Sequence, residues 1–171
     1  MRALALLLLA TPLLASCGLR PLYSNGASGP VASLLATVEV DQLPGQNGWL
    51  MSNALRDRLS ASGKATPAYR LEVELDDQIV GLGVRADDSI ARQRRTLRAR
   101  YRLVELAQGT VVLDATAGSD AGIDSVGSEY ATIAAENTAL ERLTEVVADQ
   151  IVARLALYAE RSRAERTEKQ P

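Results

Sequence analysis

The sequence predicts an α+β domain, a two-layer sandwich whose elements run β-α-β-β-β-α, with a four-stranded mixed sheet and two helices packed on one face. Two kinds of pattern predict this fold. Apolar and polar residues alternate in several short stretches between residues 36 and 115, which is typical of half-buried strands. In two other stretches apolar residues recur at three- and four-residue steps, which is typical of helices that cover a sheet.

The first strand and the first helix are predicted near the start of the domain. Alternation over residues 36–40 predicts the strand, and Pro44-Gly45 ends it. Asn47 is expected to cap the following helix, and Gly63 to end it in a left-handed conformation. The stripe of this helix that is expected to face the sheet consists of Trp49, Leu50, Ala54, Leu55 and Leu59.

Three further strands are predicted after this helix. The clearest alternation covers residues 69–76, and a second long strand covers residues 90–105. A hairpin turn at residues 85–88 is expected to join them. A shorter strand over residues 111–115 precedes a segment rich in Gly, Ser and Asp, residues 118–128, which is predicted to be a loop.

The chain closes with a long predicted helix that Ser128 is expected to cap. The end of the chain is charged and has no apolar face, so residues 161–171 are predicted to be disordered. The helix stripe expected to face the sheet consists of Tyr130, Ile133, Leu140, Val147, Ile151, Leu155 and Tyr158.

The composition argues against enzyme chemistry. The 171 residues include no histidine, which is the commonest general base near neutral pH and the commonest metal ligand. A single cysteine excludes an internal disulfide and a zinc site built from thiolates. The net charge of −2 disfavours a basic nucleic-acid binder. We therefore expect a protein that is not an enzyme, holds no cofactor or metal, and binds no nucleic acid.

The N-terminus has the features of a bacterial export signal. Arg2 is followed by an apolar run that ends at Leu14, too short to cross a bilayer as a stable helix. Leu14-Ala15-Ser16-Cys17 resembles the lipobox of bacterial lipoproteins, in which the cysteine is acylated and becomes the mature N-terminus. The alternative is an unmodified cysteine after an ordinary signal peptide. Gly18, in place of aspartate, resembles sequences that are exported to the outer membrane.

These patterns predict four segments. Residues 1–16 are a lipoprotein signal peptide, and residues 17–33 are an acylated N-terminus with a flexible tether. Residues 34–160 form the α+β domain, and residues 161–171 form the charged tail. Acyl chains on Cys17 would hold the domain on a membrane, since each buried methylene contributes about 0.8 kcal/mol.

Arginines are concentrated in the second long strand. If the turn is centred near Ala86, Glu72 lies opposite Arg100, and Glu74 lies opposite Arg98. The same register pairs Leu71 with Tyr101, and Leu75 with Leu97. The arginines then have two interpretations, a phosphate-binding strip or an ordinary hairpin surface with cross-strand ion pairs. The cluster consists of Arg92, Arg94, Arg95, Arg98, Arg100 and Arg102.

Arg92, Arg94 and Arg95 are the candidate ligand-binding residues because this register leaves them without acidic partners. Apolar positions on the opposite strand also change from odd to even numbers after Asp76-Asp77. Either a bulge lies there or the hairpin exposes apolar side chains on its outer face. An apolar and basic hairpin end suits an amphiphile that carries phosphates and acyl chains, or the wall of a partner protein.

The chain resembles the lipopolysaccharide-assembly lipoprotein family, LptE, and in particular its alphaproteobacterial branch. The resemblance rests on Cys17-Gly18-Leu19-Arg20-Pro21-Leu22-Tyr23 and on the closing helix around residues 148–155. Leu19 replaces the usual aromatic residue. The resemblance implies a two-helix, four-stranded domain that plugs the LptD outer-membrane β-barrel, assists its assembly and takes part in lipopolysaccharide delivery to the outer leaflet. It also implies a location on the periplasmic side of the outer membrane and in the barrel lumen.

Two other functions stay open at this point. The first is an auxiliary lipoprotein of an ABC-type lipid transporter, because such proteins can begin in a similar way after the lipobox. The second is a periplasmic hydrolase that uses carboxylates alone, although the sequence shows no acidic pair in surroundings that would separate two pKa values.

Overall fold

The structure is a computed structural model that describes residues 29–82, 92–124 and 128–169. Helices and strands follow one another in an order that begins with a short helix and ends with a long one. The elements are α1 (Pro30–Leu35), β1 (Val38–Val40), α2 (Gly45–Ser60), β2 (Tyr69–Gly81), β3 (Arg92–Glu105), β4 (Thr110–Asp124) and α3 (Glu129–Glu168).

The four strands form one open mixed sheet in the order β1-β2-β3-β4. β1 and β2 are parallel because α2 carries the chain back between them, whereas the β2–β3 and β3–β4 pairs are antiparallel. The helices pack against one face of the sheet, so the predicted α+β sandwich is confirmed. The other face, called the outer face below, carries no helix of the described chain.

A single core lies between the helices and the sheet. Alternate residues of β3 are buried against buried side chains of α2 and α3, as the strand period requires. Each fully buried large apolar side chain contributes about 1.5–3 kcal/mol. The largest fully buried side chains are Tyr101, Leu35, Met51, Leu55, Leu71, Leu97, Leu103, Leu140, Ile151, Leu155 and Val147.

The folded domain begins earlier than predicted. The tether was expected to extend through residue 33, but α1 starts at Pro30, a residue that suits the first helical position. Val31, Leu34 and Leu35 of this helix are buried in the core. A short helix with a buried apolar face therefore occupies part of the predicted tether.

β4 is much longer than the predicted strand. It continues to Asp124, so the prediction of a loop is wrong for residues 118–124; residues 125–127 lie outside the described residues. The reason is pairing: Arg92 lies opposite Asp124, and every residue from Leu113 to Asp124 has a β3 partner. Hydrogen bonding to a long neighbour outweighs the weak strand propensity of Gly, Ser and Asp.

The β2–β3 register differs by two residues from the predicted one. Glu72 lies opposite Arg102 and Glu74 opposite Arg100, and Leu71 pairs with Leu103. A shift of two residues leaves every side chain on its predicted face, because strand faces alternate with a period of two. Pairing is continuous through Asp77, so there is no bulge at Asp76-Asp77. The predicted turn at residues 85–88 lies outside the described residues.

Helix ends and stripes agree only in part with the sequence patterns. α2 has no side-chain cap, and Asn47 instead bonds to β2, but Gly63 has the predicted left-handed backbone with φ +95°. Trp49, Tyr130 and Ile133 are exposed, although they were predicted to face the sheet. α3 has Ser128 at its N-cap position without a side-chain bond, and it continues to Glu168, so residues 161–168 are helical.

Candidate functional site

The outer face carries a row of arginines between two rows of carboxylates. The arginines lie on β3, which is central to this part of the sheet, and the carboxylates lie on β2 and β4. Because all of them sit at alternate positions, they share one face. The arginines are Arg92, Arg94, Arg98, Arg100 and Arg102, and the carboxylates are Glu72, Glu74, Asp76, Asp114, Asp120 and Asp124.

Two of the three candidate arginines have acidic partners on β4. Arg92 Nε lies 2.9 Å from Asp124 Oδ1, and Arg94 Nε lies 3.9 Å from Asp120 Oδ2. The prediction that they lack partners is therefore wrong, and the unexpected length of β4 is the cause. Both pairs are solvent-exposed, so each contributes at most about 1 kcal/mol to stability.

Arg100 and Arg102, at the other end of the arginine row, also form ion pairs. Arg100 donates to both carboxylate oxygens of Asp114, and this bonding holds the pKa of Asp114 below its ordinary value. Arg102 lies 3.1 Å from Glu72 and 3.8 Å from Glu74. Both interpretations of the arginine cluster therefore retain support, because these pairs hold the hairpin surface while their guanidinium groups stay accessible.

Arg95, the third candidate, lies on the opposite face of the sheet. It is only 7% exposed and donates from Nε to Asp77 Oδ1 over 2.8 Å. Arg95 also donates to the backbone oxygen of Glu136 in α3, and Asn47 of α2 donates to Asp77. The bond to Asp77 raises the pKa of Arg95 above its ordinary value. Arg95 therefore connects both long helices to the sheet and is not available to a surface ligand.

Asp77 lies where the apolar positions along β2 change from odd to even numbers. Asp77 occupies a site on the helix-facing side that the odd-numbered pattern assigns to an apolar residue. Beyond it, Val80 and Leu82 are 54% and 42% exposed, and Val80 lies opposite Arg94. The hairpin end therefore does present apolar and basic groups together on its outer face.

Arg98 differs from the other arginines in its row, and sequence reasoning did not single it out. Among the described residues no carboxylate oxygen lies within 4.0 Å of its guanidinium nitrogens. It faces a depression of about 520 Å³ that Thr96, Thr116 and Ser119 also line. Gly118 leaves room for it, since a Cβ there would lie 3.2 Å from Arg98 Cγ. The feature of the sequence that could have identified Arg98 is Gly118, the glycine that lies opposite it on β4.

The described residues contain no group of three or more histidine, cysteine or acidic residues arranged to hold a metal ion. No helix within the described ranges has the length and apolar character needed to cross a membrane. Cys17 and the whole lipobox lie outside the described residues.

Several solved structures of bacterial lipoproteins share this fold. A candidate lipoprotein from Caulobacter crescentus is 27% identical, with a TM-score of 0.65, and the match covers 78% of this chain and 98% of that one. A minor lipoprotein from Acinetobacter baumannii is 15% identical, with a TM-score of 0.58, over 71% and 92% of the two chains. Rare lipoprotein B from Shewanella oneidensis is 11% identical, with a TM-score of 0.52, over 77% and 97%. The domain thus shares its fold with small α+β domains of bacterial lipoproteins.

The family model for lipopolysaccharide assembly, LptE, matches residues 35–155. The chain belongs to the LptE family of lipopolysaccharide-assembly proteins, as its N-terminus and closing helix predicted. Membership in this family of non-enzymatic lipoproteins gives it a role in lipopolysaccharide transport and assembly and an association with a membrane. No curated protein matches the chain in sequence.

Proposed function

We propose that this protein is an outer-membrane lipoprotein, acylated on Cys17, that plugs an LptD-type β-barrel, assists its assembly and helps lipopolysaccharide reach the outer leaflet. The observation that carries the proposal is the family match over residues 35–155. The barrel partner and the outer membrane follow from the family, and the acyl anchor follows from the lipobox at residues 14–17.

The outer face suits a polar barrel lumen. Lumens of outer-membrane barrels are polar, so a plug needs a surface that can stay hydrated and form hydrogen bonds with the wall. The rows of arginines and carboxylates supply donors and acceptors of both signs over the length of three strands. A mixed-charge face of this kind can contact a polar wall without burying unpaired charge.

Arg92 and Arg94 are the proposed contacts for lipid A or core phosphates. Their partners are exposed carboxylates, and the 3.9 Å separation of Arg94 from Asp120 exceeds hydrogen-bond distance. A phosphate could therefore replace these carboxylates at little cost and receive paired N–H donors. The adjacent apolar side chains of Val80 and Leu82 suit the acyl part of the same ligand. Arg95, being buried, would hold the hairpin in place instead of contacting phosphate.

A matched pair of variants tests the phosphate contacts. Arg92→Ala/Arg94→Ala should weaken binding of purified lipopolysaccharide to the mature protein at least about tenfold, because two charge-assisted contacts are lost. Arg100→Ala/Arg102→Ala removes the same charge from the same strand and face and is the control, with little expected change. Equal binding by both double variants would contradict this assignment and leave the role in transport intact.

Isolation of the full chain from detergent-solubilised membranes tests the proposed function as a whole. A large outer-membrane barrel should be recovered with it, whereas recovery of an inner-membrane permease complex would support the auxiliary lipoprotein of an ABC-type transporter. Mass spectrometry of the mature N-terminus should show acyl chains on Cys17, and Cys17→Ser should abolish them together with membrane retention. An unmodified cysteine would overturn the anchor.

A further inference from the structure

The free edge of β4 is the longest unpaired strand edge in the described part of the chain. β4 is the last strand of the sheet, and Gly118 donates its backbone N–H outward to Gln150 Oε1 over 3.2 Å. Backbone groups of successive strand residues point to alternate sides. Alternate residues on either side of Gly118 therefore also direct their N–H and C=O groups away from β3; these are Asp114, Thr116, Asp120, Gly122 and Asp124.

Little protects this edge against another strand. Proteins commonly blunt such edges with charged side chains, especially lysine, with proline or with a very short strand; residues 113–124 contain neither lysine nor proline, and their charged side chains are aspartates. Among the described residues, the Gln150 side chain is the hydrogen-bond partner of the edge, and it occupies one position. Depressions of about 520 Å³ and 300 Å³ extend to either side of Gln150, and Thr116 and Ala117 line both. Space for an extended chain therefore lies next to the free backbone groups.

Charge indicates which kind of strand would fit. The outer face already alternates between an acidic strand, a basic strand and an acidic strand, which are β2, β3 and β4. The side chains of Asp114, Asp120 and Asp124 remain 43%, 64% and 73% exposed at the edge. A second copy of this chain would bring its own β4 carboxylates against them, which is unfavourable. A strand with lysine or arginine at alternate positions continues the pattern.

We infer that the β4 edge adds one extended strand from the barrel partner, with basic residues on the outer face and small or apolar residues toward α3. The wall of a closed barrel has no free edge, so the strand comes from a loop or a terminal segment of the partner. This inference rests on the proposed function, because the barrel is its occupant.

Amide hydrogen exchange in the full mature protein, alone and in its complex with the barrel, tests the inference. The outward amides of Thr116, Asp120 and Gly122 should exchange at least about tenfold more slowly in the complex. The inward amides of Ala117 and Ala121 pair with β3 in both states and provide an internal control. A complex whose outward amides exchange as fast as in the isolated protein overturns the inference and leaves the proposed function standing. Failure to form any complex overturns both.

Gly122 offers a matched pair of variants for the same question. A Cβ at this position meets no atom within 4 Å, and proline is tolerated where the strand N–H points away from the sheet. Gly122→Pro should lower recovery of the barrel about tenfold by removing an outward donor and obstructing the added strand. Gly122→Ala keeps the N–H and should recover as much barrel as the native chain. Equal recovery with a folded Gly122→Pro variant also overturns the inference.

Discussion

Arg95 and Asp77 are joined by two hydrogen bonds across the β2–β3 ladder, on the side of the sheet that the helices cover. Their side chains are only 9% and 13% exposed. Asn47 of α2 donates to Asp77, and Arg95 donates to the backbone oxygen of Glu136 in α3, so these bonds connect four elements at one end of the core. The hairpin is therefore held against the helices by polar contacts where its apolar pattern is interrupted.

Breaking this pair should destabilise the domain strongly. Arg95→Met leaves the Asp77 carboxylate buried without a cation, which should lower the free energy of unfolding by about 3–5 kcal/mol. Adding Asp77→Leu to Arg95→Met should recover much of the loss, because both buried charges are then gone. Urea unfolding measures the free energy of unfolding of the single and the double variant. The control is Arg102→Met on the exposed face, expected to cost about 1 kcal/mol or less; a similar cost for Arg95→Met would contradict the role given to the buried pair.

Gly48 should be intolerant of any side chain. A Cβ there would lie 2.7 Å from Leu43 Cβ and 2.8 Å from the Leu43 carbonyl carbon, closer than real Cβ contacts. Gly48→Ala should therefore force α2 away from the preceding segment and cost about 1–3 kcal/mol in thermal or urea unfolding. Gly122→Ala, where the space is open, should change stability by less than about 1 kcal/mol. Equal stability of the two variants would show that α2 does not begin in this close contact.

The contact between Arg58 and Asp149 should make the stability of the α2–α3 interface depend on pH. Hydrogen bonding to Arg58 lowers the pKa of Asp149 below its ordinary value of 3.8, so folding favours the ionised form. This stabilisation is fully present above pH 3.8 and is lost as the pH falls through the lowered folded-state value. Since Asp149 is exposed, the contribution is about 0.5 kcal/mol. The stability difference between the native chain and Asp149→Asn should disappear in acid; a difference that persists there would contradict this origin.

Trp49 provides a spectroscopic test, because it is the single tryptophan of the chain. Its side chain is 63% exposed at the start of α2, although the helix pattern predicts that it faces the sheet. Its fluorescence should resemble that of solvated indole in the folded protein, be readily quenched by acrylamide and shift little on unfolding. A blue-shifted emission that moves to the red on unfolding would show that Trp49 is buried, as its position in the stripe suggested.

The strand faces and the two main helices could be predicted from the sequence because each is set by local periodicity. Tyr101 and Leu103 alternate with arginines, and this pattern fixes which side is buried whatever the register. The register itself depends on the turn, which periodicity does not specify, and the prediction was two residues off. The length of β4 depends on a partner strand, so Gly118 and Gly122 were interpreted as loop residues.

The candidate site was less predictable than the fold for the same reason. Asp120 and Asp124 could not be recognised as partners of Arg94 and Arg92 without the β3–β4 pairing. The burial of Arg95 depends on Asp77, whose charge at a core-facing position is an exception to the alternation. Pairing across strands therefore decides which arginines are accessible, and a periodic pattern along one strand does not contain that information.

Depletion of this protein in the bacterium that encodes it is the most direct test of a role in lipopolysaccharide delivery through a barrel. Surface-exposed lipopolysaccharide and the amount of correctly assembled barrel should be measured in the same cells, with Cys17→Ser supplied in trans as the unanchored comparison. Both quantities should fall on depletion, and the native chain should restore them. Unchanged surface lipopolysaccharide in cells that lack the protein would contradict the proposed function.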